Sequence, residues 1–364
     1  MLTLIRAVFD ERQRGARSLR IPLIGIYSLL GFVNLAVWLW ALLVFRQHPL
    51  LLGTALLAYG FGLRHAVDAD HIAAIDNVTR KLMQEGMRPV SVGFFFSLGH
   101  STVVVLAAAG VAATATALGR HLEQYKAVGG IVGTLVSALF LFAIAAANIV
   151  ILASVWRTWR HVRAGGRYVD EDFDILLNSR GLLARLFRPL FRLVTRAWHM
   201  YPLGFLFGLG FDTATEVALL GISATQAAQG IPVWSIMVLP ALFTAGMSLI
   251  DTTDGVLMLG AYAPAFGKDG AVIKPIRKLY YNLVITLVSV LVAGLIGGIE
   301  ALGLIGNQFG LSGRFWQGIE TLNDNFGSIG FIVIGVFIAA WIGAVLIYRY
   351  RGLDEALATP IRRD

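Results

Sequence analysis

Apolar runs of about 20 to 30 residues recur along this chain, bounded by short stretches that carry charge, Gly or Pro, and each is long enough to cross a hydrocarbon core as a helix. The runs near residues 21–45, 50–79, 90–118, 128–156, 200–227, 233–263, 279–305 and 326–348 predict eight spans. The expected fold class is therefore an all-α polytopic membrane protein, with 1–364 forming a single integral membrane domain.

Composition agrees with the pattern. The chain has 364 residues, 57% of them hydrophobic and only 14% charged, with a mean hydropathy of +0.72. These values exclude a soluble enzyme built around one core. The net charge of +8 is not a nucleic-acid footprint, because the arginines sit in short loops between apolar runs. There they read as topology signals. With the amino terminus inside, 25 of the 30 Lys and Arg residues fall on the cytoplasmic side, 4 on the other, and Arg64 lies within the second run. This bias puts both termini of the multi-pass protein in the cytoplasm. The charged stretch at 1–20 precedes a run too long for a signal-peptide core, so the first span is expected to stay in the mature protein. The one long connection, 157–199, carries the acidic string DEDFD and then LLARLFRPLFRLVTRAW. It is expected to be a cytoplasmic loop ending in an interfacial amphipathic helix against membrane lipid.

Cysteine is absent, so any chemistry uses nitrogen and oxygen. The apolar runs nonetheless contain ionisable residues, each costing about 2.5 to 3.5 kcal/mol at the bilayer centre. The second run carries Arg64, His65, Asp68, Asp70, His71 and Asp76; the third carries His100; the fifth Asp212 and Glu216; the sixth Asp251 and Asp254. Seven carboxylates facing one arginine require protons or bound cations to offset them. Arg64 could pair with Asp68 one turn on, but that cannot neutralise the set. On a regular helix His65, Asp68, His71 and Asp76 share one face, while Asp70 points elsewhere with Asn77, either orienting a neighbour or marking an unwound helix. Asp212 with Glu216 share a face, as do Met247, Asp251 and Asp254. Imidazole with carboxylate suits a first-row divalent metal, leaving nickel, cobalt, zinc, iron and manganese open. Met247 reads as packing rather than as a ligand. His48, His121, His161 and His199 lie in or near loops and read as solvated or interfacial.

FGLRHAVD from Phe61 resembles FGLGFDTA from Phe207, and FFSLGHS from Phe95 resembles LFTAGMS from Leu242. The two members of each pair cross the bilayer in opposite directions, the pattern of an inverted repeat around a midplane site. Small-residue pairs such as Gly294 with Gly298 permit close helix packing. H-E-x-x-H, G-x-S-x-G and a phosphate-binding G-x-x-x-x-G-K-[ST] are all missing, so enzymatic chemistry and ATP-driven transport find no support.

RHAVDADHIAAIDN (Arg64 to Asn77), FFSLGHSTVV (Phe95 to Val104), LGFDTATE (Leu209 to Glu216) and GMSLIDTTDG (Gly246 to Gly255) resemble, in order, the motifs of the nickel/cobalt transporter family. Its defining H-x-x-x-x-D-H is matched by His65, Asp70 and His71. The resemblance implies a secondary permease that imports Ni²⁺ or Co²⁺ across the cytoplasmic membrane. It carries no prosthetic group and needs no obligatory protein partner. The metal-site residues it implies, joined with Asp68 from helical facing, are His65, Asp68, Asp70, His71, His100, Asp212, Glu216, Asp251 and Asp254. The alternative is a membrane receptor that binds metal without transporting it by itself.

Overall fold

In lipid every backbone N–H and C=O must pair within its own segment, so each long apolar run closes a helical hydrogen-bond ladder. The computed structural model describes residues 19–46, 49–114, 119–163, 194–209, 214–266 and 275–350. Among these there is no strand. The helices are α1 (Arg20–Phe45), α2 (Pro49–His65), α3 (Ala69–Gln84), α4 (Val92–Thr114), α5 (Gly119–Arg163), α6 (Met200–Gly208), α7 (Ala214–Ala228), α8 (Val233–Ile236), α9 (Val238–Phe266), α10 (Pro275–Gln308), α11 (Arg314–Asp324) and α12 (Phe326–Tyr350).

Among the described residues six helices are long and apolar enough to cross a membrane, or seven if α2 and α3, bent by 53° at their junction, count as one broken span. The run expected at 200–227 is met by α6 and α7, with residues 210–213 outside the described part. Most of the amphipathic helix expected before residue 199 also lies outside it. Burial separates the helices into an inner and an outer set. The apolar windows of α4 and α9 are 56% and 61% buried within the protein, those of α1 and α12 only 17% and 22%. Phe32 and Leu35 on α1, and Phe331 and Ile332 on α12, are exposed and suited to lipid.

Glycines set the inner packing. A Cβ on Gly62 of α2 would fall 2.1 Å from the Phe243 carbonyl oxygen of α9, and one on Gly246 of α9 would fall 2.8 Å from that of Tyr59. The same exchange recurs between α4 and α6. A Cβ on Gly99 would fall 1.9 Å from the Tyr201 oxygen, and one on Gly204 2.0 Å from the Phe96 oxygen. Backbones this close leave room for hydrogen only. Each repeat therefore packs its first helix on the second helix of the other repeat, and the short sequence matches coincide with matching contacts. Gly294 and Gly298 do not act this way, since nothing lies within 4 Å of a Cβ there. It is Gly297 that seats α10 on α5, its Cβ position 3.2 Å from that of Leu141.

Candidate metal site

The second span breaks after His65. Val67 and Asp68 close tight turns back to Arg64 and His65, and α3 restarts with Asp68 as its N-cap, the carboxylate accepting from the Ala69 N–H at 3.3 Å. Asp70, in the first turn of α3, accepts from the His71 N–H at 2.8 Å. Aspartate is a strong N-cap residue, and acids in the first turn complement the positive end of the helix dipole. The sequence favours a restart at this point for the same reason that it disfavours an unbroken helix. This overturns the regular-helix reading, in which His65, Asp68, His71 and Asp76 shared one face, and it selects the unwound alternative for Asp70.

The break brings His65 and His71 together from two half-helices. His100 reaches them from α4, and the possible ligand atoms of the three buried rings all lie within 4.8 Å of one another. Ring centroids are 4.7 to 4.9 Å apart. His65 Nε2 lies 2.9 Å from His100 Nε2, and Glu216 Oε1 of α7 lies 2.9 Å from His100 Nε2 and 3.8 Å from His65 Nε2. The 2.9 Å contact between the two rings is a hydrogen bond, and two nitrogens bound at right angles to a cation with bonds of about 2.1 Å would stand about 3.0 Å apart, so the same spacing fits adjacent ligands. Around this core, Asp251 Oδ1 approaches His71 Nδ1 at 3.4 Å and the Thr215 hydroxyl approaches His65 Nδ1 at 3.3 Å. Groups of this kind fix ring orientation in metal sites. Phe96 meets His71 edge-on at 4.8 Å and lies 6.4 Å from His100, and Phe243 lies 5.4 Å from His65, so aromatic rings back all three histidines.

Asp68 and Asp70 stand beside the cluster and line, with His65, a cavity of about 610 Å³. Asp76 turns away from it, accepting from the Ser289 hydroxyl of α10 at 2.9 Å. Asp254 is buried with Oδ2 lacking a hydrogen-bond partner among the described residues, and it is not part of the histidine cluster. Asp212 lies outside the described residues. Met247 packs in the core and accepts from the Ser101 hydroxyl at 3.6 Å, as expected of a structural methionine. His161 is exposed and His199 accepts from the Thr195 N–H, whereas His48 lies outside the described residues and His121 is described only in its backbone.

Three charged residues differ from the sequence reading. Arg64 is exposed in the cavity rather than buried in the bundle. Arg80 and Lys81, taken as loop residues, belong to α3 and are buried. Arg80 donates to Thr286 of α10 at 3.2 Å and to Asn77 at 3.3 Å, with Asp76 as its electrostatic partner one turn back. Lys81 donates to the Val194 carbonyl. The embedded negative charge thus has more positive company than one arginine. Sequence reasoning also passed over Glu300, which is 4% exposed and accepts from Ser137 at 2.8 Å. The signal was present as a lone carboxylate within 279–305.

Residues 51–347 match the NicO family, described as high-affinity nickel-transport protein. The chain is 60% identical over 337 residues to the high-affinity nickel transport protein of Cupriavidus necator, covering 93% of this chain and 94% of that one. It is 54% identical over 343 residues to the hydrogenase nickel incorporation protein HupN of Bradyrhizobium diazoefficiens, covering 93% and 88%. The cobalt transport protein NhlF of Rhodococcus rhodochrous is 42% identical over 299 residues, covering 81% and 82%. No solved structure matches.

Proposed function

From the premise that this chain belongs to the NicO family of high-affinity nickel-transport proteins, we propose that it is a secondary permease importing Ni²⁺, Co²⁺ or both, and not an enzyme. The observation that carries this reading is the set of three buried histidines meeting at a broken span, with ligand atoms within 4.8 Å of one another. In this reading His65, His71 and His100 take the cation together with Glu216, and Asp251 orients His71. Asp68 and Asp70 meet the cation on its approach from the cavity. Asp212 and Asp254 serve the same pathway as supporting carboxylates. Three nitrogens and an oxygen suit a borderline first-row dication better than Mg²⁺ or Ca²⁺. The carboxyl end of half-helix α2 at His65 carries the negative end of the helix dipole, which favours a cation at the same spot.

With both termini in the cytoplasm the cavity opens outward, and His65 connects its wall to the histidine cluster. The cation sheds water onto them and leaves inward as the two repeats rock about the site. At 100 mV a dication gains about 4.6 kcal/mol from the membrane potential, enough for a gradient of about three decades. No protein partner is required. The alternative of a receptor without transport is disfavoured because relatives matching almost the full chain bear the names of transport proteins.

The test is uptake of radiolabelled nickel at submicromolar concentration into vesicles holding only this protein under an inside-negative potential. Saturable uptake, blocked by cobalt but not by magnesium and lost in His71→Ala, is expected. Uptake that survives His71→Ala would overturn the site, and tight binding without uptake would return the receptor reading.

A further inference from the structure

Between the protein's surface and His65 lies the cavity of about 610 Å³, and α10 forms one of its walls. Glu300, Gly303, Leu304 and Asn307 all line it, at the spacing of a single helical face. Glu300 is the member of this stripe farthest from the carboxyl end of α10 at Gln308. At 1.5 Å per residue it stands about 12 Å inward along the helix axis. The other acids on the cavity wall are Asp68 and Asp70 beside the histidines, and Asp324 at the end of α11. Asp324 is exposed, whereas Glu300 is almost wholly removed from bulk water. Among the described residues Arg64 is the one Lys or Arg on that wall, so four carboxylates face one guanidinium and the described lining has a formal charge of −3. A negatively lined cleft with low-dielectric walls concentrates cations from solution.

We infer that Glu300 is the capture residue of this cavity, a second cation position where a hydrated divalent cation pauses before it is passed to Asp68, Asp70 and the histidines. The inference rests on the permease reading above and adds to it a residue outside the four sequence motifs. The Glu300 carboxylate, which accepts from Ser137, offers oxygen only, and oxygen suits a borderline first-row dication less well than imidazole nitrogen does. Glu300 therefore holds the ion through its water, weakly enough to let it move on, and dehydration waits for the nitrogen ligands.

Charge and tether are separable. Glu300→Gln removes the charge but keeps a carbonyl oxygen that accepts from Ser137, whereas Ser137→Ala removes the tether between α5 and α10 and keeps the charge. Nickel uptake is measured in vesicles at fixed potential, with KM and maximal rate fitted separately. Glu300→Gln is expected to raise KM about tenfold with the maximal rate within about twofold, because the loss concerns concentration of the ion within the cavity rather than the translocation step. Ser137→Ala is expected to leave KM within about twofold of wild type. Asn307→Asp, which adds a carboxylate two turns outward on the same stripe, is expected to lower KM severalfold and serves as the deciding variant if Glu300→Gln does not fold. An unchanged KM in Glu300→Gln, an equal rise in Ser137→Ala, or an unchanged KM in Asn307→Asp overturns the inference while wild-type uptake leaves the permease reading intact. Wild-type vesicles without uptake overturn both.

Discussion

Gly330 on α12 tests whether the break in the second span is held from outside. A Cβ at this position would fall 1.7 Å from the carbonyl oxygen of Val67, 2.8 Å from its carbon and 3.1 Å from Ile72 Cδ1. Val67 lies in the three-residue break itself, between His65 and the N-cap Asp68. A carbon needs about 3.3 Å from a carbonyl oxygen, so Gly330→Ala must move α12 or the break by about 1.5 Å. Overpacking of this kind costs about 1 to 3 kcal/mol, against which the better helix propensity of Ala returns up to about 1 kcal/mol. Gly335, five residues along the same helix, provides the control, because a Cβ there meets nothing within 4 Å. Gly335→Ala is expected to be neutral or slightly stabilising in thermal unfolding of the detergent-purified protein. Gly330→Ala is expected to lower Tm and also to weaken nickel binding, because the shift falls between two of the three histidines. Equal Tm and equal nickel affinity in the two variants would refute the idea that α12 clamps the break.

Nickel itself should stabilise the fold. A ligand present at about 100 times its Kd adds about 2.7 kcal/mol to a protein that binds it only when folded, so a rise in Tm with nickel is expected for wild type and its absence for His100→Ala. The same rise should shrink in acid, since the three histidines must be deprotonated to bind metal and protons compete with the cation; a nickel-induced Tm rise that keeps its size down to the lowest pH at which the protein stays folded would contradict histidine ligation. Arg80→Met should destabilise by about 3 to 5 kcal/mol because it leaves Asp76 as a buried charge without its cation, and Asp76→Asn added to it should restore a large part; chemical denaturation of the two variants reads this, and an unrescued double variant would place the role of Arg80 in packing.

Much of this protein was written locally. Lipid admits only segments that satisfy their own backbone, so run length alone located the helices, and the charge bias between loops gave an orientation. The H-x-x-x-x-D-H string, with His65, Asp70 and His71, pointed to the candidate site because polar groups in such a run are costly and need a reason to be there. Even the break at Asp68 had a local cause, a capping aspartate followed by a second acid, although the helical-wheel reading masked it by assuming a regular helix. Other features depended on packing between distant segments. His100 and Glu216 join His65 from 35 and 151 residues away, and only the glycine-mediated contacts of α4 with α6 and of α2 with α9 bring their helices close enough. Asp76 and Asp251 both sit in motifs, yet one faces Ser289 and the other His71, a difference set by which neighbour each helix turns toward. Arg80 reads as a loop cation in one dimension and as a buried partner in three, since α3 runs one turn farther than its apolar run. Glu300 was visible as a lone acid in an apolar helix, but its connection to the histidines exists only because α10 walls the cavity that ends at His65. Side-chain type is fixed residue by residue, whereas the neighbours that give an embedded charge its role are fixed by the packing of whole helices.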